Sequence, residues 1–562
     1  MREPVVGTMA GLLVVATGCT SASTDSAGQR AESVTSAPDS ALTLVADADP
    51  VASAVSVSRA LFDRSTVAVV ARDGDDAAAL LGSSAAVGLG VPLLVEPTGG
   101  GGGDVVGAEL DRLGATVVLV VGGTGAAVTS SAEGGREVVT VVADVAAVEA
   151  ATGLDLADAD PVPADGGPVA VAALDPQNPA ALRPVDVGGS GSSSAAGDAA
   201  EDGPADGDAT VPQVDRGDPL TGTVVLASGS PESLAGVATA RAAGADVLLT
   251  GGGTDPRGSA DVVSALSQNR PDTVVALGAD FAGEEGLDWK LRTALEGAQL
   301  PGGGQLLFPQ HMMVALYGTP GTGALGVLGE QGLEASIQRA RNTAAPYQAL
   351  VDATVVPAFE IIATVASAAA GSDGNYSTES DVETLRPWVE AAGEAGVYVV
   401  LDLQPGRTDF LTQARLYEPL LELPHVGLAL DPEWRLRPDQ VHLTQIGQVG
   451  IEEVNQVVTW LADLTRDRAL PQKLLVLHQF QVRMIVDRER LDTSRDELAI
   501  MVHVDGQGTQ PMKQDTWRVL HQDAPAPLPR GWKNFYDEDS PTLTPDQTIA
   551  QVQPTPQLIT YQ

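Results

Sequence analysis

The chain has one cysteine, Cys19, in 562 residues. No intrachain disulfide can form, so its cores must hold by packing alone. Lysine is almost as scarce: Lys290, Lys473, Lys513 and Lys533 are the four present, and arginine carries the rest of the positive charge. Positive charge is itself in deficit, with 32 basic against 74 acidic residues and a net charge of −42. Such a surface repels nucleic acid and anionic lipid at modest salt, so no nucleic-acid partner is expected. It also repels anionic wall polymers unless a divalent cation bridges the two. Aromatic residues make up 4% and are unevenly placed. Before residue 300 they are Phe62, Phe281 and Trp289; all seven tyrosines and all six histidines follow. No apolar run after residue 19 reads as a span, which needs about 20 residues. Motifs are missing as well. His425, His442, His503 and His521 lack metal-ligand spacing, and no His-Glu-x-x-His occurs, against a zinc peptidase. No Gly-x-Ser-x-Gly supports a serine hydrolase, and the glycine run at 99–103 lacks the lysine of a phosphate-binding loop.

The cysteine that is present stands where a secretory signal would end. Met1-Arg2-Glu3-Pro4 precedes an apolar stretch over 5–16, and Thr17-Gly18 precede Cys19. A short charged start, an apolar centre and small residues before the cut describe a signal peptide over 1–18. Ala16-Thr17-Gly18-Cys19 resembles the lipobox of bacterial lipoproteins. That resemblance implies lipid on Cys19, an extracytoplasmic location and membrane attachment through that lipid. The other readings are a plain signal peptide with an incidental cysteine, or a membrane anchor, for which the segment is short.

Composition divides the remainder. Residues 19–42 read as a flexible tether, and 188–218, rich in Gly, Ser and Asp, as a disordered acidic linker that cannot bury enough apolar surface to order itself. Between them, apolar runs at 66–71, 91–95 and 117–123 alternate with Ala-rich helical stretches. The rhythm returns at 223–227, 247–250 and 273–278, about 157 residues later. Buried strands joined by helices indicate parallel βαβ units, here at 43–187 and 219–300. Ser58-Arg59-Ala60-Leu61-Phe62, Val67-Ala68-Val69-Val70-Ala71, Asp76-Ala77, Gly90-Val91-Pro92-Leu93-Leu94 and Val120-Val121-Gly122-Gly123 resemble the type 2 cell-wall-binding repeat. The resemblance covers about 80 residues and implies three-layer α/β units whose partner is cell-wall polysaccharide. In the second block Pro231-Glu232-Ser233-Leu234 replaces the Asp-Ala step.

From residue 301 to 562 nearly eight strands alternate with helices, the arithmetic of a (β/α)8 barrel. Residues 312–317, 353–359, 397–401, 426–430, 473–477, 498–504, 532–535 and 558–561 read as the strands. This half resembles barrel domains found downstream of wall-binding repeats in actinobacterial envelope proteins. Strand ends carry Tyr317, Glu360, Asp402, Asp431 with Glu433, His478, Asp505 and Asp537. In such barrels the chemistry sits at the carboxyl ends of strands. Paired carboxyls there suit glycoside hydrolysis, one held neutral and the other ionised. The same ring could hold a divalent cation through its oxygens; no other cofactor is expected. Glu360, Asp402, Asp431, Glu433, His478 and Asp505 are the catalytic candidates. His478 would orient a carboxylate or a substrate hydroxyl, and Glu433 beside Trp434 is the candidate acid. Tyr317, Trp434, Gln479, Tyr536 and Asp537 are candidates for binding substrate. Asp-Pro and Asp-Gly also start loops and cap helices, so a non-catalytic envelope scaffold or adhesin stands as the alternative.

Overall fold

The computed structural model describes residues 30–98, 103–123, 128, 135–185, 209–522, 524–525 and 528–562. The signal segment 1–18, Cys19, the first part of the tether, the glycine run at 99–102 and the linker over 186–208 lie outside the described residues.

In the N-terminal half, one all-parallel sheet has the spatial order Leu93–Glu96, Val67–Arg72, Val117–Val121, Glu137–Val141. A second has the order Asp246–Leu249, Thr223–Ala227, Thr273–Leu277, Leu42–Val45. Thr223–Ala227 and Val117–Val121 are buried throughout, which is why they read as unbroken apolar runs rather than alternating ones. Helix Asp76–Leu89 shows how the connections are set. Asp75 accepts from the Ala78 amide at 3.0 Å, and Gly90 closes the helix at φ +72°, a conformation a side chain would strain. Helix Leu234–Ala242 touches strands of both sheets, so the two units share one core.

Parts of two stretches expected to lack structure form strands. Ala31–Thr35, inside the expected tether, pairs antiparallel with Phe62–Ser65 and parallel with Val214–Asp215, which lies inside the expected linker. Small residues at Ala31 and Ser33 bury where larger apolar ones would have signalled a strand. Leu42–Val45 joins the second sheet through Thr273–Leu277, so the units interlock instead of following one another.

The C-terminal half is a closed barrel of eight parallel strands. We number them β1 His311–Gly318, β2 Thr354–Ala366, β3 Tyr398–Leu403, β4 Val426–Leu430, β5 Lys473–Gln479, β6 Leu498–Val504, β7 Arg530–Asn534 and β8 Leu558–Tyr561. Closure comes from the β1–β2 and β1–β8 pairings. Ser377–Glu379 adds an antiparallel edge to the far end of β2. Inside the barrel Met313, Val356, Val400, Ala429, Val476 and Met501 pack into an apolar filling. Leu300 and Leu307 join that filling from below, so the segment linking the halves plugs the amino-terminal end of the barrel. Lys290, on helix Leu287–Glu296, donates to Glu284 and, at 2.6 Å, to Asp496 of the barrel. Arg257 lies 4.4 Å and Arg466 5.0 Å from the centroid of the Trp289 ring, one cation from each half. The N-terminal half therefore closes the floor and leaves the other end, the mouth, to the βα loops.

Candidate active site

Strand side chains alternate with period two, so the apolar filling fixes which residues above it also point inward. Continuing that phase to the carboxyl ends gives Tyr317 on β1, Glu360 on β2, Asp402 on β3, His478 on β5, His503 on β6, Lys533 on β7 and Thr560 on β8. Asp431 and Asp505 stand in the same phase just beyond β4 and β6. Each strand thus contributes a polar group to one layer.

His478 is the hub. It is fully buried, and its Nε2 donates to Glu360 Oε1 at 2.7 Å while Nδ1 donates to Asp505 Oδ2 at 3.2 Å. Asp402 Oδ1 lies 3.9 Å from the same Nε2, so the Glu360 and Asp402 carboxyls sit beside one another. Burial pushes the His478 pKa down, but Glu360 and Asp505 outweigh it and hold the ring as an imidazolium, well above the usual histidine range. His503, ring centroid 4.9 Å away and bonded to Thr560 at 3.1 Å, is driven well below the histidine range by burial and by that cation. One histidine is thus charged and its neighbour neutral.

The carboxyls divide in the same way. Burial raises Asp402 to about 6, with Glu360 adding to the rise and His478 opposing it. The Tyr317 hydroxyl donates to Asp402 Oδ2 at 2.9 Å; burial and the nearby carboxylates keep that phenol protonated. Asp431 is raised well above the carboxylate range by burial and then by Glu433. Burial and the charge of Asp505 raise Glu433 to about 7. Asp505 goes the other way, because its bond to His478 overcomes burial. Neutral and ionised carboxyls stand side by side, the condition for acid and base work at one pH.

Glu360 Oε2, Asp402 Oδ1 and Asp505 Oδ1 are buried with no hydrogen-bond partner. Buried polar atoms are normally satisfied, so three open acceptors in one layer point to something that donates to them. Among the described residues no group of three His, Cys, Asp or Glu side chains is placed to hold a metal ion.

Three βα loops form one wall of the mouth. Arg407 N donates to Asn375 O at 2.7 Å, Leu436 N to Gly406 O at 2.7 Å, and His442 Nε2 bonds Tyr376 O at 2.9 Å. Trp434 belongs to this wall, half-buried with its ring centroid 5.3 Å from that of His442. Burial is the first cause of the rise at Glu433, and the charge of Asp505 adds to it.

The other expected substrate contacts separate. Tyr317 is at the centre of the layer but buried, serving Asp402. Gln479 follows His478 in the opposite phase and donates outward to the carbonyls of Gln481 and Val482 at 3.3 and 3.4 Å. Tyr536 is 45% exposed and stacks on Tyr561, 5.5 Å between centroids, beyond the end of β7. Asp537 is exposed on the same turn. Strand β7 begins two residues earlier than the aromatic pattern implies, which puts Lys533 rather than Asp537 into the mouth. Asp539, also on that turn, is the buried acid and binds Lys513 and the Phe535 amide. Strand alternation places Lys533 inward, and like the other three lysines of this lysine-poor chain it is buried.

No family model matches the chain, and no curated protein matches it. A solved structure, Cwp6 from Clostridium difficile, is similar over 60% of this chain at 15% identity, with a TM-score of 0.32. The chain spans 64% of that structure's length, under two thirds. Likeness at this level assigns no family.

Proposed function

We propose that the barrel hydrolyses a glycan of the cell envelope, with Glu433 as the acid and Asp402 as its ionised partner. The observation that carries this is the polar layer itself: acidic side chains from successive strand ends meet around one imidazolium, with three acceptor oxygens left open. Glu433, half-buried and raised to about 7, can protonate a glycosidic oxygen near neutrality. Asp402, raised only to about 6, is ionised at the same pH and can assist attack at the sugar carbon. His478 holds Glu360 and Asp505 in place, and Tyr317 holds Asp402. Full-length protein should release new reducing ends from soluble wall glycan. Asp402→Asn should cut the rate by roughly a hundredfold or more while the melting curve stays cooperative. No release by the wild type, or undiminished release by the variant, rejects hydrolysis.

A second reading is favoured by one observation: Glu360, fully buried, and Asp505, largely so, are both engaged by His478, as in a structural network. On that reading the barrel is a binding scaffold without turnover, and the same assay decides between them.

The chain is further read as a lipoprotein carried on Cys19 whose N-terminal half holds wall polysaccharide. The lipobox-like Ala16-Thr17-Gly18-Cys19 and the repeat-like strand order support this. Fractionation of cells carrying Cys19→Ser tests both parts. The variant should leave the membrane and stay with the wall; retention in the membrane rejects the lipid, and loss to the medium rejects wall binding.

A further inference from the structure

We propose that Lys533 and Asp402 together read a hydroxyl of an uncharged sugar ring, so that the mouth takes neutral glycan and turns away uronate- or phosphate-bearing sugars. This deepens the glycan reading above and rests on it.

Lys533 is 4% exposed, and its Nζ lies 3.5 Å from the centroid of the Tyr317 ring. The ring face offers the ammonium some electrostatic compensation, and the Phe535 ring lies further off at 5.2 Å. Among the described residues the ammonium donates no hydrogen bond, although it can donate three. The other three lysines all donate: Lys290 and Lys513 to carboxylates, and Lys473 to two backbone carbonyls.

Tyr317 connects this open donor to an open acceptor. Its hydroxyl takes up Asp402 Oδ2 and leaves Asp402 Oδ1 buried without a donor. One phenol thus carries an unfilled ammonium against its face and an unfilled carboxyl oxygen at its tip. A hydroxyl satisfies both, since its proton goes to Oδ1 and its lone pairs accept from Nζ. A carboxylate or a phosphate diester has no proton for Oδ1. Either would also bring negative charge beside Asp402, Glu360 and Asp505, where the interior screens repulsion poorly. Lys533 alone would favour an anion, but its surroundings do not.

The test uses full-length protein and two soluble pools prepared from wall glycan, one neutral and one uronate-bearing. Binding is followed by calorimetry and turnover by reducing-end release. The neutral pool should be preferred, and Lys533→Met should raise both Kd and KM for it by about tenfold to a hundredfold, the worth of one hydrogen bond to a charged donor. Lys533→Arg, which keeps donor and charge, should recover part of that loss. Equal handling of the two pools by the wild type overturns the proposal without needing any variant. So does an unchanged Kd and KM in a folded Lys533→Met protein whose turnover Asp402→Asn still abolishes, and in both cases the glycan reading stands. Failure of the wild type to bind either pool removes that reading and this proposal together.

Discussion

The two ends of the barrel are built from the same eight strands and differ in nearly everything else. At the floor, Leu300 and Leu307 enter from the linking segment and pack on Met313, Val356 and Leu474, all buried. At the mouth, further along the same strand phases, the inward positions Tyr317, Glu360, Asp402, His478, His503, Lys533 and Thr560 are polar or ionisable. Burying ionisable groups costs stability unless they are paired, and here three acceptors are not. A barrel selected for stability alone would continue the apolar layers upward. The floor shows that this chain can do so, and the mouth departs from it at a cost in stability, the pattern expected of a functional site.

Substitutions can break or sharpen that contrast. The largest effect is expected at His478. His478→Asn strips the buried Glu360 and Asp505 of their cation, which should destabilise the fold by about 3–5 kcal/mol and abolish turnover in whatever remains folded. Denaturant unfolding combined with activity per folded molecule separates the two effects. The matched floor substitution, Leu474→Ala, should cost about 2–5 kcal/mol as a core truncation yet leave activity per folded molecule unchanged. If Leu474→Ala also lowered specific activity, the ends would not be independent.

Near the floor, one buried ionisable group gives a further comparison. Lys473 is fully buried at the start of β5, its ammonium donates at 2.9 Å to the carbonyls of Leu423 and Val426, and burial lowers its pKa to about 7. The unfolded chain keeps that proton up to the ordinary lysine value of about 10.4. Between about 7 and that value the unfolded state binds more protons, so this lysine makes stability rise with pH, and below about 7 its penalty is full. Lys473→Met should flatten the rise seen in unfolding free energies measured at pH 7 and pH 9.5. An equal rise in the variant would place the titrating group elsewhere.

How far the sequence reaches follows the same divide. The eight barrel strands are legible because seven of them are apolar runs buried on both sides, and the polar side chains that interrupt or follow those runs, Glu360, Asp402, Asp431 and His478, stand in one inward-facing phase. Strand β2 shows a partial miss: it runs on to Ala366, so Glu360 lies within it rather than at its end. Strand β7, Arg530–Asn534, is the full miss. Only Trp532 is apolar among Arg530, Gly531, Lys533 and Asn534, so the pattern shifted toward Phe535 and named Asp537 in place of Lys533. In the N-terminal half Ala31–Thr35 and Leu42–Val45 were not legible, since their partners lie at Phe62–Ser65 and Thr273–Leu277 and no local pattern reports pairing over such separations. The division of roles among the acids was only partly readable. Glu433 stood out from its neighbour Trp434, but what raises it is burial and Asp505, which only three-dimensional proximity reveals.

The account's central claim is that neutral and ionised carboxyls at the strand ends work together on a glycan. The most direct measurement is the rate of reducing-end release from wall glycan between pH 4 and 9, for the wild type and Glu433→Gln. With Asp402 ionising at about 6 and Glu433 losing its proton at about 7, the wild-type rate should peak between those values and fall on both sides. Glu433→Gln should lose roughly a hundredfold or more at the peak. A wild-type rate that is flat or absent across this range, or a variant that retains the full bell, contradicts it.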